Sequence, residues 1–295
     1  MDEIGYGYGY GYGHGHAFGD VSLGERLIAG ALASAAIAGF ALWRRALSPS
    51  GAAAALAVGT CIFAGGGPAW FAALVTFFVT STLLGRVGRA RKAATKREFS
   101  KGDTRDAWQV LSNGGAAAAA ALGLGLAPST IWAAAFLGAL ATANGDTWAT
   151  ELGVLSRGEP FALRGFSLAR VPRGTSGAVS PLGLGATVAG AAAIGAVAAL
   201  APAAFFCTPA RAALLAILGG TAGALADSLL GATVQESFWC AACARETESA
   251  RHHCGARAEH RRGLRGFGND AVNAAATLLG ALCAVAADAA LDRLH

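Results

Sequence analysis

The sequence predicts an all-α fold, a polytopic transmembrane helix bundle of about eight spans with its basic loops on the cytoplasmic-equivalent face. Three observations predict it. Of the 295 residues, 54% are hydrophobic and 14% charged, and mean hydropathy is +0.47; an ordinary globular domain is about one quarter charged. The charges fall in blocks separated by charge-free runs at 46–85, 107–145 and 174–210, each long enough for one or two spans of about 20 residues. No polar stripe recurs at helical spacing within these runs. A soluble Ala/Gly-rich helical protein, whose helices need one polar face, is thereby excluded.

In chain order, residues 1–20 form a Gly/Tyr/His-rich tail that cannot bury a core, is expected to be disordered and is assigned no function. His14 and His16 are too few for a His-tract metal site. Residues 21–295 form a single integral membrane domain, with spans expected at 27–43, 51–66, 68–84, 114–126, 130–143, 182–206, 212–234 and 271–287. Several are short or Gly-interrupted, which suits helices buried among other helices, and the many Gly and Ala residues read as close interhelical contacts. The connections after the first, third, fifth and seventh spans hold 20 of the 23 Lys and Arg. Those near Gly67, Ala127 and Cys207 are short and almost uncharged. The positive-inside rule puts the basic face, with loops 85–112, 144–181 and 235–268, on the cytoplasmic side or its organellar equivalent. The positive balance serves topology, and no nucleic-acid partner is expected.

Polar motifs share that face. The stretch from Ala143 to Gly153 contains Asn144, Gly145, Asp146, Thr147 and Glu151, and Asp146 is the first charge after a long apolar run. An acid there is costly without a partner or a task. The simpler reading is that Asp146 caps a helix restarting after a turn at Gly145, with Thr147 and Glu151 on one face. Upstream, if residues 106–113 are helical, Asp106, Gln109 and Asn113 line one face leading into a span, as a solvated loop or as a cavity wall. Downstream, Arg173-Gly174-Thr175-Ser176-Gly177 can offer N–H groups and hydroxyls to a phosphate, or form a flexible turn. Asp227-Ser228 in the seventh span echoes Asp146-Thr147, and Asn269-Asp270 with Asn273 opens the last span. Asp146, Asp227 and Asp270 with Asn113, Asn144 and Asn273 are therefore candidates to meet at the bundle mouth, where carboxylates suit Mg²⁺ bridging to phosphates and Arg or Lys neutralise them. In the last loop Cys240, Cys243, His253 and Cys254 are a ligand inventory for structural zinc, with free thiols or a redox pair as alternatives.

Together these residues resemble one family of integral membrane proteins, which includes plant and cyanobacterial phytyl-phosphate kinase of tocopherol biosynthesis and uncharacterised archaeal and animal relatives. The resemblance rests on Lys101-Gly102 with Arg105-Asp106 and Gln109-Val110-Leu111, and on Asn113-Gly114-Gly115. It rests also on Asn144 to Ala149 with Glu151-Leu152-Gly153, on Val171-Pro172 with Gly174-Thr175 and Gly177, and on Asn269-Asp270 with Val272-Asn273. Ala178 and Asp103 stand where the family pattern usually has Gly. A more distant similarity, to membrane polyprenol kinases and CTP-dependent transferases, implies a nucleoside triphosphate donor with Mg²⁺. The resemblance thus implies a kinase that moves a phosphoryl group onto an isoprenyl monophosphate such as phytyl phosphate. Its catalytic candidates are Asp146, Asn144, Asp227, Asn113 and Asn273, with Arg105, Gln109, Arg173, Thr175 and Asp270 binding substrate or nucleotide and Asp146, Asp227 and Asp270 holding Mg²⁺. In a plant or algal member it implies the chloroplast envelope. The alternatives are a transporter or lipid-handling protein without chemistry, since intramembrane acids and an internal echo also mark transporters, and a structural subunit that has lost catalysis.

Overall fold

The computed structural model describes residues 21–88, 104–164 and 167–294. The expected tail, and the basic segment 89–103 with Lys101, Gly102 and Asp103, lie outside the described residues. Eight long helices are present among those described: α1 (Leu23–Trp43), α2 (Pro49–Gly66), α3 (Pro68–Leu84), α4 (Ala107–Leu126), α5 (Thr130–Gly153), α6 (Pro181–Leu200), α7 (Pro209–Thr233) and α8 (Asn269–Asp292). Local chemistry sets where several begin. Ser48-Pro49, Ser180-Pro181 and Thr208-Pro209 each place a capping hydroxyl before a proline whose fixed φ suits the first helical turn. α2 stops where Gly67, at φ 88°, precedes Pro68, which starts α3.

Two helices extend beyond their apolar runs, and both do so toward the basic face. α4 starts at Ala107 rather than 114, because Asp106 and Gln109 close a capping box: the Gln109 N–H donates to Asp106 Oδ1 at 3.0 Å, and the Asp106 N–H donates to Gln109 Oε1 at 3.1 Å. α5 runs unbroken to Gly153 rather than ending at 143. Asp146 therefore caps no helix, and Gly145 makes no turn. The expected loops 85–112 and 144–181 are shorter than anticipated by these two helix ends. The sixth span ends at Leu200, short of 206, and continues as a 3₁₀ turn over Pro202–Phe205.

α1, α2, α6, α7 and α8 are long and apolar enough to cross a membrane by length and composition alone. α3 has 17 residues, and α4 and α5 carry polar residues at their basic-face ends. α5 is the bundle's axis, packed among α3, α4, α6, α7 and α8, and every residue from Phe136 to Gly145 is buried. The crossing at its middle uses three glycines. Gly138 of α5, Gly219 of α7 and Gly280 of α8 meet so closely that a Cβ at Gly138 would overlap the Gly280 carbonyl oxygen, and one at Gly219 would lie 2.8 Å from the Gly138 Cα. Thr142 Oγ1 fastens the crossing by donating to Gly138 O at 2.8 Å, with Gly219 O at 3.3 Å. On the outside, Leu27, Ile28, Leu32, Leu278 and Leu282 are exposed, as lipid-facing side chains are.

The described residues of the connections after α1, α3, α5 and α7 gather at one end, as the charge pattern predicts. At the other end Trp70 stacks on Phe205 with Phe136 tilted against both, and Trp70 Nε1 donates to Ala204 O at 2.9 Å. There Arg211 of α7 holds α8, with Nε on Asp288 Oδ1 and Nη2 on Asp292 Oδ1, both at 2.6 Å. The basic-face connections contain structure that the apolar pattern did not reveal. β1 (Phe161–Arg164) and β2 (Ser167–Arg170) form an antiparallel hairpin, and β3 (Ser237–Cys240), β4 (Arg245–Thr247) and β5 (Glu259–Arg262) form an antiparallel sheet in the order β4-β3-β5. Arg262 docks that sheet on the bundle: Nη1 donates to the α7 carbonyls of Gly231 and Ala232, while Nε pairs with Glu246 at 2.9 Å.

Candidate functional site

The basic-face ends of the helices enclose a polar cavity of about 880 Å³, within the upper range of ligand sites. Its wall includes Arg105, Gln109 and Asn113 at the start of α4, Asp146, Thr147 and Glu151 on α5, Arg173 to Ser180 before α6, Asp227 and Ser228 on α7, and Asp270 and Asn273 on α8. Five segments far apart in sequence thus meet in one chamber, and each carries one of the polar motifs.

The α5 stretch divides between two faces. Asp146, Thr147, Thr150, Glu151 and Gly153 line the cavity, so Thr147 and Glu151 share a face as their spacing predicts. Asn144 does not reach it. At 100° per residue it sits about 200° around the helix from Asp146, on the face of Trp148. There it is fully buried: Nδ2 donates to Gly190 O at 2.7 Å, Oδ1 accepts from Thr80 Oγ1 at 3.1 Å, and Trp148 Nε1 donates to Thr80 Oγ1 at 3.2 Å. Gly190 packs against Gly145 and the Asn144 carbonyl with no room for a Cβ. Asn144, a catalytic candidate from the sequence, is thus held away from the cavity and ties α3, α5 and α6 together as a helix clamp.

Arg105 is pinned by its backbone, its N–H donating to Ala46 O at 3.0 Å and its carbonyl accepting from Ser48 N–H at 2.9 Å. Its guanidinium lies over the Phe77 ring at 6.0 Å. Burial pulls its pKa down from the ordinary arginine value, and the negative charge of Glu151 opposes that shift. The neighbouring Asn113 donates from Nδ2 to Gln109 O at 2.8 Å. Gln109 spends its carbonyl oxygen on the cap and keeps its place on the wall. Arg173 reaches the wall with Nη2 on Arg157 O at 2.7 Å, and Thr175 Oγ1 donates to Pro172 O at 2.7 Å, closing the turn that presents Ser176.

Asp146, Asp227 and Asp270 share this wall. One oxygen of Asp227, Oδ2, is buried without a hydrogen-bond partner, and Asp227 lies near enough to Asp146 and to Glu248 to feel both charges. Glu248 was not among the sequence candidates. It sits in the loop after β4, where Oε1 accepts from Ser176 Oγ at 2.5 Å and from Gln235 Nε2 at 3.0 Å. Burial pushes its pKa up, opposed by those two hydrogen bonds and by the charge of Arg262, while Asp270 adds to the rise. Nothing in a cysteine-rich loop marks one glutamate among its charged neighbours. The three aspartates were expected to form one metal shell. Among the described residues, however, the group of three or more metal-type side chains whose ligand atoms all lie within 4.8 Å of one another is Cys240, Cys243, His252 and Cys254. The aspartates occupy separate helices around a roomy chamber instead. In the cysteine loop the histidine is His252, buried with Nδ1 3.1 Å from Cys254 Sγ, and not His253, which is exposed on the cavity side.

Beside the chamber lies a second, apolar slot of about 100 Å³ between α1, α2, α3 and α4, lined by side chains such as Ile37, Val58, Phe71, Leu74 and Phe78. Arg105, Gln109, Asn113 and Thr147 line both spaces.

Residues 32–281 match the family described as Integral membrane protein DUF92. The chain belongs to this family. As a DUF92 protein it is 35% identical to Protein PGR of Arabidopsis thaliana over 236 residues, which cover 73% of this chain and 81% of that protein. It is also 34% identical to Uncharacterized membrane protein MJ0933 of Methanocaldococcus jannaschii over 164 residues, 54% of this chain and 62% of the relative. No solved structure matches it. The family match spans every wall of the cavity and includes the cysteine loop.

Proposed function

We propose that this DUF92 protein is a phosphotransferase that moves the terminal phosphoryl group of a nucleoside triphosphate, CTP being one candidate, onto an isoprenyl monophosphate such as phytyl phosphate. The observation that carries this reading is the junction at Arg105, Gln109, Asn113 and Thr147, where a polar chamber and an apolar slot share one set of side chains. An amphiphile with a charged head and a hydrocarbon tail needs that pairing. In the reaction an oxygen of the acceptor monophosphate forms a bond to the terminal phosphorus, the bridging P–O bond of the nucleotide breaks, and isoprenyl diphosphate leaves beside the nucleoside diphosphate. The acceptor phosphate is largely dianionic at neutral pH, so no general base is required, and positioning with charge neutralisation carries the rate.

The cavity's donor set fits Mg²⁺, a hard cation that binds through one or two carboxylates and otherwise through water and phosphates. Asp146 and Asp227 would hold it, and the unpartnered Oδ2 of Asp227 is one oxygen available to it. When bound it neutralises charge on the phosphates. Arg105 and Arg173 bind phosphate oxygens, Asn113 and Asn273 orient them, Thr147 contacts the head beside the slot, and Asp270 and Glu248 bear on the same chamber. Gln109 shapes the junction, and Thr175 sets the turn that presents Ser176. By the charge pattern the chamber opens to the cytoplasm or its organellar equivalent, the side where nucleotide is found.

Purified protein in detergent is expected to convert phytyl phosphate to phytyl diphosphate with Mg²⁺ and a nucleoside triphosphate. Full turnover by an Asp146→Asn variant would sink the assignment. A carrier without chemistry predicts no turnover and no nucleotide-dependent thermal stabilisation.

A further inference from the structure

The four soft ligands in the loop between α7 and α8 are independent of the phosphotransfer reading. Cys240 ends β3 and Cys243 lies in the tight turn to β4; His252 and Cys254 lie in the next turn, before β5. Each turn is closed by a residue at positive φ, Ala244 at 50° and Gly255 at 88°, and the second is latched by His252 N–H on Ala256 O at 3.0 Å and Gly255 N–H on His252 O at 2.9 Å. The two turns face each other, with all four ligand atoms within 4.8 Å of one another and Cys240 Sγ 3.7 Å from Cys254 Sγ. Ligands about 2.3 Å from a tetrahedral centre lie about 3.8 Å apart. The cysteines are free thiols, so no disulfide holds the turns. The sheet they staple has strands of three or four residues, too short to sustain a core alone.

We propose that Cys240, Cys243, His252 and Cys254 form a tetrahedral structural zinc site whose metal fixes the segment that delivers Glu248, Arg251 and His253 to the cavity wall. All three side chains lie between or beside the two ligand pairs and line the chamber, so the metal fastens one wall of the chamber from outside it. Zinc fits better than a hard cation because three thiolates and an imidazole are soft donors.

The test is metal content of the full chain purified in detergent without chelator, measured by inductively coupled plasma mass spectrometry. The expected result is about one zinc per chain in the wild type and in His253→Ala, and loss of it in His252→Ala and in Cys243→Ser. Cobalt exchanged into the wild-type protein is expected to give thiolate-to-metal charge-transfer absorption. Hydrogen exchange is expected to quicken within 237–262 on chelation while the helices stay protected. A wild-type protein purified with negligible zinc that takes up no cobalt overturns the proposal, and so does full zinc retention in Cys243→Ser. Loss of zinc in His253→Ala with retention in His252→Ala overturns the ligand set. These readouts do not depend on turnover, so their failure and failure of the kinase reading are distinguishable.

Discussion

Replacing Asn144 with alanine separates a structural role from a chemical one at the most prominent polar residue of the α5 motif. The side chain makes two hydrogen bonds in a fully buried site, to Gly190 O at 2.7 Å and from Thr80 Oγ1 at 3.1 Å. Side-chain hydrogen bonds between transmembrane helices average about 0.6 kcal/mol and reach about 1.7, so losing two costs about 1–3 kcal/mol. At roughly 2–4 °C per kcal/mol for chains of this order, the melting temperature is expected to fall by about 2–12 °C. Thermal unfolding in detergent, followed by tryptophan fluorescence, measures the shift. Thr80→Val is expected to be partly redundant with Asn144→Ala in a double-mutant cycle, because both remove the same contact. Turnover per folded molecule should survive Asn144→Ala far better than Asp227→Asn. An unchanged melting temperature with abolished turnover would refute the clamp and return Asn144 to the chemistry.

Gly138→Ala forces a methyl group into the Gly280 carbonyl at the three-helix crossing, and overpacking of this kind is expected to cost about 1–3 kcal/mol, read by the same unfolding assay. Arg211→Ala leaves the buried Asp288 without its Arg211 partner at the end of the bundle remote from the cavity; a loss of about 1–2 kcal/mol with unchanged Michaelis constants is expected. Ala55→Phe narrows the apolar slot and is expected to raise KM for phytyl phosphate about tenfold relative to a short-chain prenyl phosphate; equal effects on both acceptors would remove the slot from tail recognition.

The bundle was legible in the sequence because burial in lipid demands uninterrupted apolar runs, and the loops were legible because topology demands their charge. What escaped was the unbroken helix of α5 on the basic face. Hydropathy assigns Asn144 to Gly153 to a loop, yet these residues stay helical because their polar side chains face a chamber and one another rather than lipid. Had the helix been carried through Gly145, the two-residue offset between Asn144 and Asp146 would have put them on different faces and revealed the clamp. Asp146, Asp227, Asn113 and Asn273 were legible as cavity residues from their shared side of the membrane. Glu248 was not, because its place depends on how two short hairpins fold back over α7, and hairpins of three or four residues leave little pattern. The zinc-type histidine was misassigned for a similar reason: His252 and His253 are adjacent, and only the turn geometry turns one inward to Cys254 and the other toward the chamber.

The central claim is that the chamber transfers phosphate onto a lipid phosphate, and the transfer itself can be followed directly. With a nucleoside triphosphate labelled in its terminal phosphate, Mg²⁺ and phytyl phosphate, wild-type protein is expected to place the label in phytyl diphosphate. The Asp227→Asn variant is expected to do so at least about a hundredfold more slowly, in line with losing a preorganised charge-stabilising group. Label remaining wholly in the nucleotide with folded wild-type protein across a panel of isoprenyl phosphates, or equal transfer by Asp227→Asn, would contradict it.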